Sequence, residues 1–113
     1  MFDAQLLFAK PDPGTEVFSD WSNRRGDLLI CTLEVIEIDG AEITVEMFTK
    51  KAEDVGNGTV VGGSYTASTT GRFEFESGPN DFNDLVRYRF TVIGTVSEWV
   101  LFRMLTMVWF DSV

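Results

Sequence analysis

The sequence predicts an all-β protein, an antiparallel β-sandwich of jelly-roll-like form with seven to eight strands. Three observations carry that expectation. Apolar residues alternate with polar ones at period two in several short runs. Glycine-, proline- and Asn/Asp-containing breaks separate those runs at short intervals. No segment has a convincing 3.6-residue apolar period with helix caps, and no internal repeat is present.

Taken in order, residues 5–9 read as a short strand, and Lys10-Pro11-Asp12-Pro13-Gly14 ends it because proline cannot donate to a ladder. Residues 15–18 read as a short edge strand. The polar stretch 19–27 reads as a loop, with Trp21 as its exception. Runs 28–38 and 41–50 flank Asp39-Gly40, a pair that accepts positive φ and suits a two-residue type I′ hairpin. That hairpin would set Ile38 opposite Ala41, Ile36 opposite Ile43 and Glu34 opposite Val45.

Residues 51–63 are glycine-rich and read as an exposed, mobile loop with at most a short strand at Thr59-Val60-Val61. Residues 64–70 are extended and rich in Ser and Thr. In 71–76, Phe73 and Phe75 alternate with Arg72, Glu74 and Glu76, which predicts a half-buried strand. Residues 77–84 form turn material. In 85–93, Val86, Tyr88, Phe90 and Val92 alternate with Arg87, Arg89 and Thr91. Gly94-Thr95-Val96-Ser97 then turns the chain into 98–110, and a hairpin there sets Val92 opposite Trp99 and Phe90 opposite Leu101.

The segment 98–110 is apolar on both faces at period two. Trp99, Leu101, Leu105, Met107 and Trp109 share one face, broken by Arg103. Val100, Phe102, Met104, Val108 and Phe110 share the other, broken by Thr106. A helix over 97–110 stays open as an alternative, because a continuous apolar run has no diagnostic period. Its β-branched and aromatic content favours a strand. A strand with two apolar faces needs cover on both, and the expectation is that a partner supplies part of it. The candidate interface residues are Trp99, Leu101, Phe102, Met104, Met107, Trp109 and Phe110.

The chain has 113 residues, which bounds it to a single domain spanning 1–113. A fold of this mass buries about two-thirds of its unfolded surface, enough for a core without metals or disulfides. The formal net charge is −9, which repels phosphate backbones and anionic lipid, so no nucleic-acid or membrane partner is expected. It would suit a basic protein surface. The lone cysteine, Cys31, lies in an apolar run and reads as a buried thiol. The N-terminal residues lack the pattern of a signal peptide, and no run approaches transmembrane length, so the expectation is cytoplasmic synthesis.

No catalytic signature is present. The absence of histidine removes most hydrolase triads, acid–base pairs and zinc sites, so no cofactor, metal or catalytic residue is assigned. Glu34 is the oddest carboxylate, set toward the core by the hairpin register, which a rim position or a bulge would explain. Asn80-Asp81-Phe82-Asn83-Asp84 clusters oxygen ligands but lacks calcium-loop spacing, and reads as a self-capping turn. Arg25-Gly26-Asp27 spells an adhesion tripeptide, too short to carry weight by itself. Trp21 and Tyr65 are candidates for an aromatic platform that stacks on sugar rings.

The run Leu85-Val86-Arg87-Tyr88-Arg89-Phe90-Thr91-Val92 followed by Trp99-Val100-Leu101-Phe102-Arg103, with the aromatic terminus Trp109-Phe110, resembles small accessory proteins of tailed-phage virions, such as capsid-decorating or head-fibre β-sandwiches. The resemblance implies a virion protein that acts as an oligomer, without cofactor or catalytic site. The expected function is therefore a non-enzymatic structural or interaction protein that docks onto a larger assembly through protein partners, as a homo-oligomer or on a larger body. The alternative is a carbohydrate-binding module that uses surface aromatics.

Overall fold

The computed structural model describes residues 6–9, 16–77, 82–95, 97–105 and 107–111. These form ten strands and no helix. The strands are β1 (Leu6–Ala9), β2 (Glu16–Phe18), β3 (Ser22–Asn23), β4 (Leu28–Asp39), β5 (Glu42–Lys50), β6 (Thr59–Ala67), β7 (Gly71–Ser77), β8 (Leu85–Ile93), β9 (Trp99–Met104) and β10 (Val108–Phe110). All strand pairings are antiparallel. Two five-stranded sheets result. In sheet A, β4 pairs with β7 along one side and with β9 and β10 in succession along the other, and β1 pairs with β9. In sheet B, β8 lies between β2 and β5, β6 pairs with the far side of β5, and β3 pairs with β8.

The sheets pack face to face because each strand carries an apolar row that only the other sheet can cover. From sheet A come Leu29, Cys31, Leu33, Val35, Val100, Phe102 and Met104, all between 0% and 2% exposed. Sheet B supplies Ile43, Val45, Met47, Val86, Tyr88 and Phe90, all between 0% and 1% exposed. The rings of Phe90 and Phe102 meet across the layer at 5.0 Å. Each such side chain contributes roughly 1.5–3 kcal/mol by leaving water.

The expected Asp39-Gly40 hairpin is not formed: β4 belongs to sheet A and β5 to sheet B. The pair is instead a corner between the layers. Gly40 has φ +74°, so the left-handed conformation expected of the dipeptide is present. Turn chemistry sets that dihedral, but it does not decide whether the next strand lies beside the first or opposite it. The rows decide it. Leu29, Cys31, Leu33 and Val35 on β4 and Ile43, Val45 and Met47 on β5 are all buried, and they cover each other across the core.

The expected hairpin between 85–93 and 99–110 is absent for the same reason. β8 lies in sheet B and β9 in sheet A, so Phe90 is not ladder-paired with Leu101 but packs on Phe102 from the opposite layer. A third difference is the length of β6. It runs through Gly62 and Gly63 to Ala67, joining the short strand expected at Thr59-Val60-Val61 to the extended stretch expected from residue 64. Its register with β5 shifts between Val45 and Met47, and the glycines lie in that bulge.

Two further irregularities fix which face is buried. In β4, the pairing with β9 shifts between Val35 and Glu37, so Ile36 is the extra residue and is 38% exposed. Beyond it, Ile38 packs against the core while Glu37 and Asp39 are exposed. Between β9 and β10, Met104 pairs with Leu33 and Val108 with Ile30, so the connection holds one residue more than the β4 stretch it faces. The inward phase thereby changes from even to odd residues. Val100, Phe102 and Met104 are buried before it, Met107 is buried after it, and Trp109 packs against the core. The apolar character read on two faces of 98–110 is largely one inward face with a shift of phase.

The two corners touch. The Glu98 carboxylate accepts a bond from the Thr95 N–H at 2.5 Å, and the Glu98 N–H donates to the Thr95 carbonyl at 3.0 Å. The same carboxylate lies where a Cβ on Gly40 would sit. Gly40→Ala therefore has a dihedral penalty, and the flexible Glu98 side chain must shift to make room. We expect it to lower unfolding free energy by about 2 kcal/mol in urea titration. A change below about 0.5 kcal/mol would contradict this account of the corner.

Candidate functional surfaces

The outward face of sheet A is built from the residues that alternate with the core row. On β4 these are Leu28, Ile30, Thr32 and Glu34, followed past the bulge by Glu37 and Asp39. β9 adds Trp99, Leu101 and Arg103, and β10 adds Val108 and Phe110. From β7 come Arg72, Glu74 and Glu76. Register sets Val108 beside Ile30 and Phe110 beside Leu28. Val108 is 47% exposed and Phe110 46%. Ile30, Leu28, Trp99 and Leu101 are half-buried.

The structure thus divides the seven residues named as an interface. Phe102, Met104 and Met107 belong to the core, at 1%, 0% and 6% exposure, and are not available to a partner. Trp109 packs edge-to-face on Phe82 at 5.2 Å and against the core. Only Trp99, Leu101 and Phe110 lie on the outward face. The physical cause is the phase shift between β9 and β10, which a strict period-two reading cannot follow.

Glu34 lies at the middle of that face and not in the core. It is held between two guanidinium groups, Arg72 Nε on one oxygen and Arg103 Nε on the other, each at 2.5 Å. Its row neighbours on β7 and β9 are those same arginines. Hydrogen bonds from Arg72 and Arg103 hold its carboxyl below the usual range. This is a structural clasp across three strands, and it engages both oxygens of the Glu34 carboxylate.

The outward face of sheet B carries a cluster the sequence reading missed. The Arg87 guanidinium lies 3.9 Å from the Phe18 ring centre and 4.3 Å from that of Trp21. Lys50 Nζ is 4.8 Å from the Trp21 ring, and Arg89 is 4.7 Å from that of Phe48. Arg89 also pairs with Glu46. Phe48 sits in an outward row yet is 6% exposed, because Phe18 packs edge-on against it at 5.7 Å. The available signal was Phe48 itself, an aromatic ring among outward-facing polar residues. Arg87 extends to Asn57 at 2.9 Å and so fastens the 51–58 loop to the sheet. Next to the cluster lies an open, polar depression of about 400 Å³ lined by Lys50, Asp54, Asn57, Gly58 and Asn83.

The two platform candidates do not come together. Trp21 is on the outer side of sheet B with cations against its ring. Tyr65 faces between the sheets, stacked on Phe73 at 5.4 Å and on Phe75 at 6.0 Å. Among the described residues, no group of three or more His, Cys, Asp or Glu could hold a metal ion. Asn80 and Asp81 lie outside the described residues. Of the rest of that turn, Asn83 N–H donates to Thr49 Oγ1 at 2.8 Å and Asp84 Oδ2 accepts from Ala52 N–H at 3.0 Å.

In the Arg25-Gly26-Asp27 tripeptide, Asp27 is ion-paired with Arg24, and its N–H donates to the Phe110 carbonyl at 2.9 Å. A Cβ on Gly26 would come 2.7 Å from that carbonyl oxygen. The glycine is required by close backbone approach, and the aspartate is engaged within the fold. Cys31 is fully buried, and burial pushes its thiol up to about 12, out of the range of a nucleophile.

The Glu34 clasp has a pH signature. Its folded pKa is below its unfolded one, so its contribution is present above the unfolded pKa and is lost as pH falls through the folded value. Glu34→Gln should therefore be less stable than the wild type at neutral pH, and the two should converge in acid. Urea midpoints measured from neutral to strongly acidic pH check this, and a gap that stays constant across that range would exclude the linkage. In comparison with known proteins, no family model, no curated protein and no solved structure matches this chain.

Proposed function

We propose that this is a non-enzymatic interaction protein that docks onto a larger assembly through the outer face of sheet A. The observation that carries the reading is the apolar end of that face, where exposed Val108 and Phe110 stand beside Ile30 and Leu28. Strand β10 already supplies Trp109 to the core. Its two outward positions stay about half exposed, yet both are large and apolar. Such a surface is a common mark of a contact with another molecule.

The jelly-roll reading of the fold is supported by strand order. Along sheet A the order is β1, β9 with β10, β4, β7, and along sheet B it is β2 with β3, β8, β5, β6. Two Greek keys wound together give such an arrangement, and six of the nine connections cross between layers. The hairpin that carried the resemblance is not formed. A sugar-binding platform has less support, because Trp21 is stacked against two cations and Tyr65 is turned inward.

The test separates folding from docking. Trp109→Ala should cost about 3 kcal/mol or more in urea titration. The double substitution Val108→Thr and Phe110→Thr should stay within about 1 kcal/mol of the wild type. The native wild type should bind a fluorescent dye that reports exposed apolar surface, and the double variant should bind it far less. A loss of stability in the double variant equal to that of Trp109→Ala would show that the strip serves the fold, and would remove the basis of the proposal.

A further inference from the structure

We infer that the occupant of the outer face of sheet A is a cationic amphipathic segment of a partner protein. The inference rests on the docking reading above and adds the chemistry of the partner. Two columns run along this face. The apolar column follows β9 and β10, with Trp99 and Leu101 at one end and Val108 and Phe110, flanked by Ile30 and Leu28, at the other. The second is acidic and interrupted: Glu37 and Asp39 lie on β4, Glu74 and Glu76 on β7, with the Glu34–Arg72–Arg103 clasp between the two pairs. Register sets Asp39 beside Trp99 and Glu37 beside Leu101, and Glu76 beside Ile30 on the side away from Val108. Glu74 follows next on β7.

The cations on this face offset only part of that charge: five carboxylates (Glu34, Glu37, Asp39, Glu74 and Glu76) against two arginines leave −3. Arg72 and Arg103 are both bound to Glu34. Among the described residues, Glu37, Asp39, Glu74 and Glu76 have no ion pair. Neighbouring strands are about 4.8 Å apart, so the columns are separated by roughly 5–10 Å. A helix about 10 Å across with one apolar and one basic flank spans that distance. The strand that the columns flank, β4 from Leu28 to Asp39, extends about 35 Å at the usual strand rise, longer than the roughly 27 Å of an 18-residue helix. A second copy of this chain fits less well, because it brings the same unpaired carboxylates against the first. Nucleic acid and anionic lipid are repelled by the acidic column.

The experiment uses the full chain and two synthetic helical peptides of about 18 residues, one patterned in Leu and Lys and the other in Leu and Glu on the same template. Titration calorimetry should give binding of the Leu/Lys peptide at one per chain and none of the Leu/Glu peptide. Val108→Thr with Phe110→Thr should weaken binding about tenfold or more, and so should Glu74→Gln with Glu76→Gln. Glu42→Gln with Glu53→Gln makes the same change of charge on exposed residues away from this face, and should weaken binding less than about threefold. Equal loss in that control would reduce the binding to diffuse attraction and overturn the inference. Unchanged binding in the apolar variant would overturn it too. Sedimentation of the wild type and of Val108→Thr with Phe110→Thr separates the two readings. Self-association lost in the variant, with no peptide binding, gives the face to a second copy: docking stands and this partner falls. Neither self-association nor peptide binding removes both.

Discussion

The whole arrangement depends on one constraint, that each strand has a single apolar face to give to a single layer of core. Two sheets enclose that layer, and every strand must present the correct row to it. A regular strand keeps its phase indefinitely, since side chains alternate with period two. This chain does not keep it. β4 changes phase at Ile36, and the β9–β10 stretch changes phase between Met104 and Val108. At each place one extra residue lets the same strand continue beside its neighbour while a different set of side chains turns inward. Without the second shift, Val108 and Phe110 would enter the core and Trp109 would face out. With it, Trp109 reaches Phe82 and the buried cluster.

Strand existence was legible in the sequence because alternation is local. The rows Val86, Tyr88 and Phe90, and Phe73 and Phe75, lie on the inner side where the pattern sets them. Strand partnership was not legible, because it is not local. Asp39-Gly40 supplies a positive φ equally to a hairpin and to a corner between layers, and only the far ends of both strands decide which forms. The clue was present in Glu34. A hairpin would set it opposite Val45, toward the core, and a buried carboxylate with no cation nearby is too costly to keep. Its cations, Arg72 and Arg103, lie 38 and 69 residues away in sequence, so nothing near Glu34 could announce them.

The candidate surface was legible in part for the same reason. Phe110 was selected because it is apolar at the end of an apolar run, and it is exposed. Phe102, Met104 and Met107 were selected by the same rule and are core. Only the bulge distinguishes them, and a bulge has no residue signature here beyond Thr106 interrupting a row. The cluster of Phe18, Trp21, Phe48, Arg87 and Arg89 escaped notice because it gathers residues from β2, the 19–21 stretch, β5 and β8. Arginine reads as solvent-facing when its strand alternates, yet Arg87 is stacked between two rings and fastens a loop.

That cluster and the Glu34 clasp bear on the charge of the molecule as a whole. The chain has nine basic residues and eighteen acidic ones. Arg24, Arg72, Arg87, Arg89 and Arg103 are each committed to a partner within the fold. Several carboxylates are not, including those of Glu37, Asp39, Glu74 and Glu76 along the outer face of sheet A. The formal charge of −9 is therefore not spread evenly over a neutral scaffold. Folding draws most of the arginines into internal contacts and leaves acidic groups at the surface, some of them beside an apolar strip. Like charges on such surfaces repel one another, and their potential is complementary to a surface of opposite sign. The same bulge that turns Trp109 inward turns Val108 and Phe110 outward, so one irregularity between β9 and β10 sets both the last core contact and the exposed apolar strip.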